Sequence, residues 1–176
     1  MPLGVILADQ RFCEIKVNIK SEKQSALSIL NQMVSQLDGY KWAIEDGVVV
    51  IEPKDITKAA SEFLRLVVPR YASPEGKIEA QNMYLWMDVR AILRPSEGTA
   101  LHILSSGADV TLPPIDVKNE SIRKNLNRLV LRPPGGAWVL SPIVNEITTL
   151  KRMPTFVMSY ADEKRDSYDV DCTPAN

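Results

Sequence analysis

Tyr40-Lys41-Trp42-Ala43-Ile44, then Glu45-Asp46-Gly47, then Val48-Val49-Val50-Ile51 ahead of Pro53, is the stretch on which the fold turns. Asp46-Gly47 is a hairpin signal, because the tight turn that matches strand twist needs a positive φ at both central positions. The flanks are strand-forming, and Pro53 closes the second of them. Working back from Tyr40, Asp38-Gly39 ends a stretch that begins after Ser21. Its apolar residues Ala26, Leu27, Leu30, Met33, Val34 and Leu37 fall at the spacing of one helix face. Further back, Glu14 to Lys20 alternates, with Ile15, Val17 and Ile19 apolar between polar neighbours, and predicts a half-buried strand. Residues 1–56 thus read as a β-α-β-β unit. Val48 to Ile51 carries no charge and should lie centrally, whereas Glu14, Lys16 and Lys20 guard their strand against stray pairing.

Working forward, residues 57–108 read as a connecting β-α segment. Ala59 to Phe63 could be helical, but Leu64, Leu66 and Val68 alternate before Pro69 and favour a strand from Phe63 to Val68. Ser73-Pro74-Glu75-Gly76 is a turn. Ile78, Tyr84, Leu85, Trp86, Val89, Ile92 and Leu93 then populate a broad, buried helix face that ends before Pro95. Leu101 to Leu104 is a short strand, and Ser105-Ser106-Gly107 a loop. Residues 109–160 read as a second β-α-β unit. It has a strand from Ile115 to Lys118 and a helix capped by Asn119 or Ser121, with Ile122, Leu126, Leu129 and Val130 on one face. Pro133-Pro134-Gly135-Gly136 stops that helix, and Ala137–Leu140 and Thr155–Tyr160 are closing strands. Residues 161–176 form an acidic, Pro-containing tail expected to be loosely ordered.

A shift of 96 residues brings residues 19–42 over 115–138 without a gap. Ile19 meets Ile115, Ser25 meets Ser121, Leu30-Asn31 meets Leu126-Asn127, Val34 meets Val130, Gly39 meets Gly135 and Trp42 meets Trp138. These matches fall at cap, helix face, turn and returning strand, which is the pattern of a duplicated strand-helix-strand unit. The alternative is that two amphipathic helices followed by glycine turns coincide by chance. A duplication predicts that Trp42 and Trp138 are both mostly buried, at equivalent places.

Ile19-Lys20-Ser21, Ala26 to Val34, Gly39-Tyr40-Lys41-Trp42 and Asp46 to Pro53 together resemble the secretin and TonB short N-terminal (STN) domain. In that family a strand, a helix with an Ala-Leu-x-x-Leu-like stripe, a small-residue turn, an aromatic-bearing strand and a hairpin into a Val/Ile-rich strand follow in this order. Ile115 to Leu140, with Ser121, Leu126-Asn127, Val130, Gly135 and Trp138, resembles a second copy of its β-α-β element. The resemblance implies a free-standing bacterial protein of unassigned activity. It would be exported, periplasmic or secreted, not an enzyme, and would bind a cell-envelope protein partner.

The chain has 176 residues, 21 Lys+Arg against 22 Asp+Glu, and 45% hydrophobic residues. At this length folding removes roughly 70% of the unfolded surface from water, enough for a core without metals or a dense disulfide framework. Balanced, interspersed charge gives no footprint for nucleic acid or an anionic membrane. The opening Met1 to Ala8 has no basic flank and is far shorter than the roughly 20 residues of a membrane span, so the chain reads as a mature or trimmed soluble segment whose export signal, if any, is missing. His102, Cys13 and Cys172 are too few for a structural zinc site of about four ligands, and a Cys13–Cys172 disulfide is left open.

The candidate constellations favour structure over chemistry. His102 lies on the polar phase of a short strand with no triad spacing around it. Asp88 with Asp109, or Glu45 with Asp46, are carboxylates whose separation nothing fixes. Gly135-Gly136 ends a helix where a phosphate loop would have to begin one. Trp42, Trp86 and Trp138 are regularly placed, as core tryptophans are. The expected fold is therefore α+β, with three helices packed on mixed or antiparallel sheet in repeated β-α-β units. The expected function is a non-catalytic cell-envelope interaction module, with a small-ligand domain using an apolar, Trp-lined helix-sheet groove as the alternative. No catalytic, metal or cofactor residue is assigned, and no binding residue is singled out.

Overall fold

The Asp46-Gly47 hairpin forms as its sequence dictates, with φ of 50° at Asp46 and 83° at Gly47. The computed structural model describes residues 1–7, 17–19, 24–93, 103–106, 111–133, 135–140 and 156–160, with 103–106 and 156–160 described by their backbone alone. In chain order the elements are β1 (Leu3–Ile6), α1 (Ala26–Ser35), β2 (Tyr40–Glu45), β3 (Val48–Pro53), α2 (Lys58–Arg65), β4 (Val67–Ser73), β5 (Gly76–Lys77), α3 (Ile78–Leu93), β6 (Ile103–Ser106), β7 (Thr111–Leu112), β8 (Ile115–Ser121), α4 (Ile122–Val130), β9 (Gly136–Leu140) and β10 (Phe156–Tyr160). The fold is α+β.

Six strands form the main sheet, in the order β2-β3-β1-β9-β10-β6. The sheet is mixed. β1 runs parallel to both β3 and β9, and β10 runs parallel to β6, while β2–β3 and β9–β10 are antiparallel. Strand β3 is central, flanked by β2 and β1, and Val48 to Ile51 are all buried. Its alternate side chains feed two cores, as a strand covered on both faces must. Val48 and Val50 join Ile6, Trp138 and Leu140 in a large core with α2, α3 and α4, whose far side is lined by Val68 and Tyr71 of β4 and Ile115 of β8. Val49 and Ile51 face the other way, against Leu30 and Val34 of α1 and the following Leu37 and Tyr40.

Two strands differ from the sequence reading. Val17 to Ile19, the described part of the strand expected over Glu14–Lys20, is not in a strand. The Gln36 side chain takes up the Asn18 main chain instead: Asn18 N–H donates to Gln36 Oε1 at 3.0 Å, and Gln36 Nε2 donates to the Asn18 carbonyl at 2.9 Å. The strand beside β3 is Leu3–Ile6, read from sequence only as a short apolar run. The strand expected over Phe63–Val68 is split: Phe63 to Arg65 end helix α2, Leu66 caps it, and Val67 and Val68 begin β4. The Thr57 hydroxyl accepts from Ala60 N–H at 3.2 Å, and Ala60, Phe63 and Leu64 are buried at helical spacing, with Phe63 stacked on Trp86. The apparent alternation spans a helix end, its cap at Leu66 and the start of β4. Pro69 fits inside β4 because, among the described strands, β4 pairs with β8 alone. There are therefore four helices among the described residues, against three expected.

The remaining elements fall close to expectation. Helix α3 spans Ile78–Leu93, with Trp86 fully buried. The expected Leu101–Leu104 strand is β6, shifted to Ile103–Ser106, so Ser105 and Ser106 are in strand rather than loop. Ser121 caps α4, its hydroxyl accepting from Lys124 N–H at 3.3 Å, while Asn119 sits at a φ of 54° within β8. Cys13, Glu14 to Lys16, Lys20, Pro95, His102, Asp109, Cys172 and the tail from 161 lie outside the described residues.

Candidate functional site

The sites that repay attention are two strands with the same local construction and different neighbours. Helix α1 is capped by Ser25, whose hydroxyl accepts from Ser28 N–H at 3.2 Å, just as Ser121 caps α4. Beyond each helix a glycine takes a positive φ, 77° at Gly39 and 91° at Gly135, and turns the chain into a strand whose third residue is tryptophan. Trp42 Nε1–H donates to Asn31 Oδ1 at 3.0 Å, and Trp138 Nε1–H donates to Asn127 Oδ1 at 3.0 Å. Each indole is thus tethered to the helix that precedes it by an asparagine eleven residues upstream.

Their surroundings differ. Trp138 is fully buried, and Trp42 is only half-buried. Strand β9 has β10 on one side and β1 on the other, with Trp138 opposite Met158 and Gly4 respectively. A Cβ added to Gly4 would lie 2.5 Å from Trp138 Cε2 and Cζ2, so glycine is what lets the indole close over β1. Strand β2 has β3 on one side, with Trp42 opposite Ile51, and no strand on its other side among the described residues.

The open side of β2 presents usable main-chain groups. In a two-residue hairpin Glu45 and Val48 form the closing hydrogen-bonded pair, and Lys54 N–H donates to the Gly39 carbonyl at 2.7 Å, so the odd-numbered residues bond to β3. The N–H and C=O groups of Trp42 and Ile44 therefore point away from β3. Ile44 is 67% exposed.

Helix α4 clamps this hairpin from the large-core side. Arg123 donates to both carboxylate oxygens of Glu45, at 2.8 and 2.7 Å, and to Glu52 at 2.7 Å. Burial on its own would lower the guanidinium, but the bonds to Glu52 and Glu45 outweigh it and raise it further. Asn127 Nδ2 donates to the Glu45 carbonyl at 3.3 Å, so this asparagine links the hairpin to Trp138. Glu45 is thereby committed to an ion pair, and Asp46 to a turn.

A second polar cluster joins β4, α3 and the end of α4. The Tyr71 hydroxyl donates to the Gln81 carbonyl at 2.9 Å, Gln81 Nε2 donates to the carbonyls of Pro74 and Pro113, and Arg132 donates to Gln81 Oε1 and to the Pro113 carbonyl. Burial pushes the Tyr71 phenol well above its ordinary range, with Arg132 opposing and Asp88 adding to the shift. Burial also raises the Asp88 carboxyl. These bonds satisfy backbone carbonyls at a junction and read as architecture.

Among the described residues, no group of three or more His, Cys, Asp or Glu is placed to hold a metal ion, and no helix is long and apolar enough to cross a membrane. The three tryptophans do not line one groove. Trp86 and Trp138 lie in the large core, and Trp42 packs on the opposite face of the sheet. His102 and Asp109 lie outside the described residues. Sequence reasoning marked both Asn–Trp pairs as matches but not their shared bond, for which the spacing of eleven was the available signal. It passed over Gly4 and Arg123, whose roles exist only across the sheet. Compared with protein-family models, curated proteins and solved structures, the chain finds no match.

Proposed function

We propose that the protein is a non-catalytic, periplasmic or secreted interaction module of the short N-terminal type found in secretins and TonB-dependent proteins, and that a cell-envelope protein partner engages it at β2. The observation that carries this reading is the open side of β2, with the main-chain groups of Trp42 and Ile44 directed outward and the Ile44 side chain exposed. Such an edge is a template for strand addition, in which main-chain bonds supply affinity and alternate side chains supply selectivity. The order of turn, aromatic-bearing strand and Val-rich hairpin supports the family likeness, and the matched caps, glycines and Asn–Trp bonds of α1-β2 and α4-β9 support a duplicated element. A photo-crosslinking amino acid at position 44, introduced in the bacterial host, tests the reading. The expected result is one discrete protein adduct in the envelope fraction. A chain confined to the cytosol, or one that gives no protein adduct, overturns it.

A further inference from the structure

The molecule holds a filled version of the site that β2 leaves open. Paired residues on neighbouring strands share a face, so Trp42, Ile51, Val5 and Val139 lie on one side of the sheet and Trp138 on the other. Strands β2 and β9 also run in opposite directions. Turning the sheet over about the axis that crosses its strands reverses both face and direction and keeps the strand order. After that rotation β2 falls into the setting of β9, with its tryptophan toward the viewer, its antiparallel partner on the same side and its open side where β1 lies beside β9. The main-chain phase agrees too. Leu7 N–H donates to the Leu140 carbonyl at 3.0 Å across the β1–β9 contact, and Ile44, the counterpart of Leu140, turns its carbonyl to the open side.

From this correspondence we infer that the open side of β2 receives a short partner strand, parallel to β2, that places glycine opposite Trp42 and a large apolar residue two positions later. The inference rests on the reading of β2 as the docking edge and adds the chemistry of what docks. β1 supplies the pattern: Gly4 opposite Trp138 leaves room for the indole, and Ile6 follows on the same face into the core. A second copy of this chain is a poor occupant. The other edge of its main sheet among the described strands is β6, in which Ser105 pairs with Met158 as Val5 pairs with Ile51, so Leu104 takes the place that Gly4 holds in β1. Extending the sheet by the same rule would set Leu104 opposite Trp42, where the internal contact has no room even for a Cβ. The pairing that sets β1 beside β9 therefore does not continue from β6 to the β2 of another copy.

The test titrates the full chain with acetyl-Lys-Lys-Leu-Gly-Val-Ile-Leu-Lys-Lys-amide and with the peptide in which leucine replaces the glycine. Binding is read by NMR at the Trp42 indole N–H and by slowed exchange of the Trp42 and Ile44 amides. The expected result is saturable perturbation at these positions by the glycine peptide, with affinity lowered about tenfold or more for the leucine peptide. Ile44→Pro, which removes an outward N–H not used by the hairpin, should abolish binding while leaving the spectrum of β3 intact. Equal binding of both peptides, or no perturbation at β2, overturns the inference. So does perturbation confined to Gly4 and Trp138, which would show exchange with the chain's own β1, or concentration-dependent self-association that protects the β2 amides. A position-44 crosslink without peptide binding would leave the docking edge standing and defeat only the glycine-strand chemistry.

Discussion

Trp138 and Trp42 sit in the same turn-and-strand setting, hold the same hydrogen bond to an asparagine eleven residues back, and end up in different environments. What separates them is the neighbour on one side. β9 has β1, whose Gly4 lets the indole close over it, and β2 has no strand there among the described residues. The lesson is that a local motif fixes where an aromatic ring is tethered, whereas the strand beside it decides whether that tether is core or surface.

The comparison breaks first at the tryptophans themselves. Trp138→Ala should cost about 4 kcal/mol, because it empties a site at the centre of the large core, and Trp42→Ala about 1–2 kcal/mol. Chemical denaturation of both variants measures the gap, and equal losses would mean that the two settings differ in appearance only. Next is Gly4→Ala. Its methyl would meet the Trp138 ring, so we expect a loss of about 3 kcal/mol by the same measurement, with the Trp42 indole N–H resonance in the NMR spectrum unchanged in the folded variant. A neutral result would show that the indole has other room to move.

Smaller effects sharpen the contrast at the tethers. Asn127→Ala leaves a buried indole N–H without its acceptor and frees the Glu45 carbonyl, and should cost about 2 kcal/mol. Asn31→Ala acts at an exposed site that water can fill and should cost less than about 1 kcal/mol. The smallest effect is a pH dependence on α3, which helps form the core around Trp138. Burial raises the Asp88 carboxyl, so the folded chain keeps that proton to higher pH than the unfolded chain does, and stability is lost as pH rises through the carboxylate range. Asp88→Asn removes this loss. The variant should therefore gain on the wild type between acidic and neutral pH, and a difference that does not change with pH would contradict the assignment.

Several features were legible in the sequence because their causes are local. Asp46-Gly47 marks the hairpin, the charge-free run Val48 to Ile51 marks a central strand, and the apolar residues from Ile78 to Leu93 ahead of Pro95 mark helix α3, although Tyr84, expected on its buried face, is exposed. Helix α2 was obscured because Leu64, Leu66 and Val68 alternate by coincidence across a helix end, while the Thr57 cap that starts the helix gives a weak signal of its own. Glu14 to Lys20 alternated well enough to suggest a strand, yet its described part is held by Gln36, and the strand beside β3 came from four residues too few for any period to show.

Composition, periodicity and turn chemistry alone therefore determined the α+β class, the hairpin, the glycine turns and the paired tryptophan positions, since each depends on residues within a turn or two of one another. Tertiary structure alone decided that β1 inserts between β3 and β9, that Trp42 and Trp138 face opposite sides of one sheet, that Arg123 reaches Glu45 and Glu52, and that β2 has no strand on its other side among the described residues. Those outcomes depend on which distant strand takes each edge. Main-chain hydrogen bonds accept nearly any strand, so the choice rests on steric fits such as Gly4 against Trp138, which no single segment of the sequence displays.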